Sequence, residues 1–162
     1  MSFLLSLACE AQTHRTTNPA FDAELARLLT FSVPLMSVED LQKQQDKVAL
    51  FDAREKVEYD VSHIPGAAYL GYENFDPARL GNLPKDNIIV LYCSVGYRSE
   101  KIGEKLKAMG YRKVFNLYGS IFEWANKGYA LESSYGKTVK TLHTYNEEWS
   151  KWVTNPKLEK KW

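Results

Sequence analysis

The stretch Ile88-Ile89-Val90-Leu91-Tyr92-Cys93-Ser94-Val95-Gly96-Tyr97-Arg98-Ser99 decides how this chain is read. Its first five residues form a continuous apolar run rich in β-branched side chains, the pattern of a strand buried on both faces in the middle of a parallel sheet. The run stops at Cys93, and Ser94 to Ser99 turn the chain. From Glu100 to Met109 the apolar residues Ile102, Leu106 and Met109 recur at helical spacing, with Gly110 placed as the residue just past the helix end.

Working outward, Val48-Ala49-Leu50-Phe51 reads as a short buried strand ending at Asp52. Ser37, followed by Val38, Glu39 and Asp40, reads as an N-cap with acids in the first helical turn. On the other side Val114 and Phe115 begin another strand, and Gly119 leads into an amphipathic segment carrying Ile121, Phe122 and Trp124 that ends at Gly128. Between Phe31 and Leu131 short apolar runs thus alternate with amphipathic stretches, which predicts an α/β domain.

The whole chain has 162 residues, enough for one domain of ordinary size with additional terminal structure. A hydrophobic fraction of 44% supplies a core without help from disulfides. The formal charge of +1 provides no global field for a polyanion or an acidic membrane surface, so nucleic acid is not an expected partner. Two cysteines, Cys9 and Cys93, form neither a disulfide framework nor a zinc cluster.

Cys93 stands at the carboxyl end of the strongest strand, where open parallel sheets place their ligand sites. If the following loop curls before the helix starts, successive N–H groups point at the sulfur and the helix N-terminus adds partial positive charge. Such a cradle stabilises a thiolate, an oxyanion or an anionic persulfide. Gly96 permits the tight backbone, and Arg98 supplies a cation for the charged part of a substrate. A lone cysteine at a strand end is more often a small buried hydrophobe. The glycine and arginine beside this one shift the reading toward a nucleophile.

Cys93-Ser94-Val95-Gly96-Tyr97-Arg98-Ser99 resembles the active-site loop of the rhodanese family, with a glycine three residues and an arginine five residues after the cysteine. Three more segments agree in order: Phe51-Asp52-Ala53-Arg54-Glu55 with Glu58 and Tyr59, His63-Ile64-Pro65-Gly66-Ala67, and Asn116-Leu117-Tyr118-Gly119-Ser120 with Trp124. The resemblance covers roughly Leu35 to Leu131. Ser120 replaces a usual glycine, and Ser94 stands where arginine is frequent, which removes one cationic substrate contact.

The resemblance implies a three-layer α/β/α domain over residues 31–132 with a central, mainly parallel sheet, flanked by extensions at 1–30 and 133–162. It also implies sulfane-sulfur transfer. Cys93 would attack the outer sulfur of a small anionic donor such as thiosulfate, carry it as a persulfide and pass it to cyanide, a thiol or a protein acceptor. Ser94, Val95, Gly96, Tyr97, Arg98 and Ser99 would bind the anion, with no metal or organic cofactor required.

Asp52 and Arg54 are expected to support the site, chiefly through a structural ion pair such as Arg54 with Glu58, and His63 to hold its turn by hydrogen bonding. Tyr97 is expected at the exposed loop tip. Two other readings stand beside this one. A non-catalytic or pathway-dedicated binding and persulfide-carrier module is the first. A cysteine phosphatase or arsenate reductase on a similar scaffold is the second, although those loops carry one residue more between cysteine and arginine than the four present here.

The ends are less informative. Phe3 to Cys9 is the longest apolar stretch, well short of the roughly 20 residues that span a bilayer, so no transmembrane segment is expected. It admits an export or lipoprotein signal, or an apolar segment packed on a cytoplasmic domain. Near the C-terminus Trp149 and Trp152 share a face at i,i+3, which predicts a short helix over Tyr145 to Val153 lying back on the domain.

Overall fold

The computed structural model describes residues 14–162. The apolar stretch ending at Cys9, and with it the export reading, lies outside the described residues. In chain order the elements are α1 (Pro19–Leu28), β1 (Leu35–Met36), α2 (Val38–Gln44), β2 (Ala49–Asp52), α3 (Lys56–Val61), β3 (Ala68–Tyr69) and β4 (Ile88–Tyr92). There follow α4 (Tyr97–Ala108), β5 (Lys113–Leu117), α5 (Ser120–Asn126), β6 (Leu131–Glu132), β7 (Thr138–Val139), β8 (Thr141–His143) and β9 (Glu159–Lys161). Among the described residues no helix is long and apolar enough to cross a membrane.

Five strands form one parallel sheet in the order β1-β5-β4-β2-β3. The run that reads as a central strand is that strand: β4 lies between β5 and β2, with Val90 opposite Phe115 on one side and Leu50 on the other. Successive side chains of a strand point to opposite faces, and β4 accordingly feeds two cores. Val90 and Tyr92 join Phe21, Leu41, Leu117 and Phe122 on one face, while Ile89 and Leu91 join Val33, Ile102, Leu106 and Val114 on the other. Helix α4 covers the second face, and α2 and α5 cover the first, giving the three-layer α/β/α arrangement. Ser37 caps α2 by accepting the Asp40 N–H at 3.1 Å, as its position predicts.

Both terminal segments take part in the core. Phe21 and Leu25 of α1 are fully buried in the first cluster. The chain between α1 and β1 is tied down by Glu100 of α4, whose carboxylate accepts from Thr30 N, Thr30 Oγ1 and Phe31 N at 2.8–3.0 Å.

The C-terminal segment differs from the helix expected over Tyr145 to Val153. It contains one 3-10 turn, Trp149–Trp152, between the parallel-paired β8 and β9. Tyr145 is left-handed (φ 70), which bars a helical start before Asn146. At the other end Val153 is already extended (φ -92, ψ 104), and the Trp152 carbonyl accepts from Asn126 Nδ2 at 2.8 Å. Trp152 still packs inward, its ring stacked on Phe21 with centroids 5.2 Å apart.

If α1 belongs to the core, Leu25→Ala should lower the unfolding free energy in urea by about 2–5 kcal/mol, the range for emptying a buried leucine site. A loss below about 0.5 kcal/mol, typical of surface sites, would place α1 outside the cooperative unit.

Candidate functional site

Cys93 follows the last residue of β4, is 1% exposed and is a free cysteine. Its loop is built by turning carbonyls outward. The Cys93 and Ser94 carbonyls accept the N–H groups of Ile121 and Phe122, both at 3.2 Å, in the first turn of α5. The Gly96 carbonyl accepts from Asn116 Nδ2 and from Glu100 N, both at 3.0 Å. A trans peptide aims its N–H opposite to its carbonyl, and no peptide bond among the described residues is cis. The N–H groups of Ser94, Val95 and Tyr97 therefore face away from those anchors. Gly96 adds its own N–H, which donates to Cys93 Sγ at 3.1 Å. With φ at 122, Gly96 holds a conformation that a side chain would strain.

Two buried side chains lock this shape. Asn116, on β5, accepts from Ser99 Oγ at 2.7 Å while donating to Gly96. Ser99 Oγ also lies 3.6 Å from Cys93 Sγ. Ser120 is left-handed (φ 51), a conformation natural to glycine, and its hydroxyl accepts from Cys93 N at 3.3 Å while donating to the Leu117 carbonyl. Gly119, before it, has no room for a side chain: a Cβ there would stand 2.5 Å from the Glu123 Cβ.

Arg98, in the first turn of α4, does not extend freely over the loop. Both its terminal nitrogens donate to Glu58, at 2.6 and 2.8 Å, and one of them also reaches Ser94 Oγ at 3.1 Å. Burial alone would push the Glu58 carboxyl up; the Arg98 hydrogen bonds and charge, with help from Arg54, outweigh it and hold the group below the usual carboxylate range. The outer face of the guanidinium lies 5.2 Å from the centre of the Tyr145 ring.

The expected pairing of Arg54 with Glu58 is corrected here. Arg54 is bidentate to Asp52, with Nε at 3.0 Å and a terminal nitrogen at 2.7 Å, and it donates further to the Ser62 carbonyl at 2.6 Å. Asp52 lies two residues away at the end of β2 on the same rigid turn, whereas Glu58 points back to cap α3 and faces Arg98. Asp52 and Arg54 are fully buried and lie outside the cleft that contains Cys93. His63 holds its turn as expected: Nδ1 is 3.0 Å from the Tyr59 carbonyl, the ring is stacked on Tyr59, and Nε2 is 3.4 Å from Glu132.

Cys93, Ser94, Val95, Tyr97 and Arg98 line one cleft of about 310 Å³. Tyr97 is 41% exposed, in keeping with its expected place at the loop tip. The cleft is completed by residues that no motif marked: Leu28 from α1, Tyr72 and Glu73 from the segment after β3, and Tyr145 and Trp149 from the C-terminal segment. The aromatic pattern at the C-terminus was the one available signal for Trp149. Asn116 had a subtler one, a polar residue inside an otherwise apolar strand.

The sequence profile of the Rhodanese-like domain family matches residues 37–127. A sulfurtransferase of Allochromatium vinosum is 37% identical over 83 residues, which cover 51% of this chain and 77% of that protein. A probable adenylyltransferase/sulfurtransferase of Mycobacterium tuberculosis, MoeZ, is 37% identical over 82 residues, 50% of this chain, and the chain spans 21% of its length. Among solved structures, a rhodanese-like domain protein from Staphylococcus aureus superimposes with a TM-score of 0.54 at 26% identity, covering 62% of this chain and 98% of that one.

The Glu58–Arg98 pair makes a prediction about pH. Glu58 binds its proton less tightly folded than unfolded, so its contribution is complete above its ordinary value of 4.5 and is lost as pH falls through the lowered folded-state value. Glu58→Gln should cost about 3 kcal/mol at about pH 7, because it strands a largely buried guanidinium. The gap to the wild type in urea unfolding should shrink as pH drops below that range; a gap that stays constant down to about pH 3 would contradict the pairing.

Proposed function

Because the chain belongs to the rhodanese-like domain family, we propose that it is a sulfurtransferase in which Cys93 carries sulfane sulfur as a persulfide. The observation that carries this reading is the backbone around Cys93 Sγ, where the Gly96 N–H donates to the sulfur at 3.1 Å and the carbonyls of Cys93, Ser94 and Gly96 are anchored outside the loop, which turns the N–H groups that follow them the other way. A persulfide places a terminal sulfur anion where those donors converge, and preorganised donors stabilise such charge without reorganising.

The reaction runs as two displacements. The Cys93 thiolate attacks the outer sulfur of a donor, the donor's bond to that sulfur breaks, and the electron pair leaves with the donor remnant, which is sulfite when the donor is thiosulfate. A thiophilic acceptor, either a thiolate or cyanide, then attacks the terminal sulfur of the persulfide and regenerates the thiolate. Such chemistry gives ping-pong kinetics. No step calls on a metal or an organic cofactor.

The four residues between Cys93 and Arg98 make a small ring of donors, and the bidentate Glu58 occupies the guanidinium that a tetrahedral phosphate would need. That arrangement favours sulfur transfer over phosphate or arsenate chemistry. A dedicated carrier module would share the first displacement and differ in accepting only one protein partner in the second.

Incubation of the reduced protein with a sulfane donor should add the mass of one sulfur atom to the intact chain, and cyanide should remove it as thiocyanate. Cys93→Ser should abolish both events while leaving the circular dichroism spectrum unchanged. Thiocyanate release that persists in Cys93→Ser would exclude Cys93 as the carrier. Loading that occurs normally but resists discharge by every small acceptor would favour the carrier module. Asn116→Leu, which deprives the loop of both its hydrogen bonds, should slow loading by at least about tenfold, the scale of one lost buried hydrogen bond.

A further inference from the structure

The walls of the cleft bear on which molecule delivers the sulfur. Thiosulfate is a compact dianion with no apolar part. Around the cradle stand Leu28, Tyr72, Tyr97, Tyr145 and Trp149, an apolar and largely aromatic enclosure. Its volume of about 310 Å³ falls in the size class of sites for organic ligands, roughly 300–1,000 Å³, and far exceeds what thiosulfate fills. Three of these side chains come from α1 and the C-terminal segment, so both ends of the chain contribute to this enclosure.

Charge points the same way. Arg98 is the cation that lines the cleft among the described residues, and its fork is closed by Glu58 while its outer face is covered by Tyr145. Two acidic residues, Glu55 and Glu73, also line the cleft, the Glu55 carboxylate accepting from the Glu73 N–H at 3.1 Å. Lys101 lies in the neighbouring depression behind Tyr97 and is paired with Glu104 at 3.1 Å. A dianion approaching Cys93 therefore meets two acidic groups and a guanidinium that is already neutralised. An uncharged aryl or alkyl group meets rings to pack against.

We infer that the cleft selects an organic persulfide with an apolar body, R–S–SH, over thiosulfate as the donor to Cys93; this rests on the reading of Cys93 as a sulfur carrier. The R group packs on Tyr145 and Trp149 while the outer sulfur enters the cradle. The Cys93 thiolate bonds to the outer sulfur, the donor's S–S bond breaks, and the electron pair departs on R–S⁻, which takes a proton from water as the pH requires. One persulfide replaces another, so the step needs no oxidant or reductant.

The test is single-turnover loading of the full chain by benzyl persulfide and by thiosulfate, read by intact mass, with each rate divided by that of free cysteine under the same conditions. The wild type should favour benzyl persulfide after this normalisation. In Tyr145→Ala/Trp149→Ala the ratio of benzyl persulfide to thiosulfate rates should fall by about tenfold, the scale of two lost aromatic contacts. In Glu55→Gln/Glu73→Gln it should fall by about threefold, and less at high salt. The second variant leaves the aromatic walls in place and decides the matter should the first misfold. A normalised preference for thiosulfate, or a ratio that the variants do not move, overturns the donor assignment and leaves the carrier reading intact. No added sulfur on demonstrably reduced Cys93 from either donor overturns both.

Discussion

The capture of the Cys93 and Ser94 carbonyls by the first turn of α5 is the constraint on which the rest of the site depends. A helix N-terminus holds N–H groups without intrahelical partners, and here two of them grip the strand-to-helix loop of the neighbouring unit. Because each peptide is rigid, fixing its carbonyl outward fixes the next N–H inward. The cradle around the sulfur is thus a consequence of how β4, β5 and their helices are juxtaposed. It also explains the backbone at Gly119 and Ser120: both are left-handed, which lets the chain leave β5 and start α5 directly beneath the loop. The Ser120 hydroxyl contributes a contact that a glycine there would lack, to Cys93 N.

The second constraint is electrostatic. Arg98 lies at the start of α4, the end of a helix where the backbone already carries partial positive charge, and a cation there is unfavourable unless it is compensated. Glu58 supplies that compensation across the cleft wall and also accepts from Ser94 Oγ at 3.4 Å, which ties α3 to the loop. Arg98 in this chain is therefore a structural tie. Tyr145 above it is held left-handed, with its N–H donating to His143 Nδ1 at 3.1 Å, so the C-terminal segment covers the guanidinium in a fixed pose.

Much of this was legible in the residues themselves. The run Ile88 to Tyr92 declared a strand buried on both faces, and Gly96 with Arg98 marked the loop as something other than a hydrophobic turn. Ser37 and Gly110 placed helix ends from cap chemistry alone. What escaped were choices among partners. Asp52 and Glu58 are both within reach of Arg54 along the chain, and spacing does not say that Arg54 folds back on Asp52 while Glu58 turns to Arg98. The C-terminal helix is cut short by the left-handed backbone of Tyr145, a conformation that the helical spacing of Trp149 and Trp152 does not report. The placing of Tyr145 and Trp149 in the cleft that Cys93 lines depends on contacts between segments some 50 residues apart, which no local pattern encodes.

The central claim is that the loop exists to hold a terminal sulfur on Cys93. Crystals treated with a sulfane donor and measured with anomalous scattering at the sulfur edge test it most directly. The account predicts a second sulfur bonded to Cys93 Sγ, lying inside the loop within hydrogen-bond reach of the Ser94, Val95 and Tyr97 N–H groups. An unmodified Sγ after treatment, or an added sulfur turned out of the loop toward solvent, would contradict it.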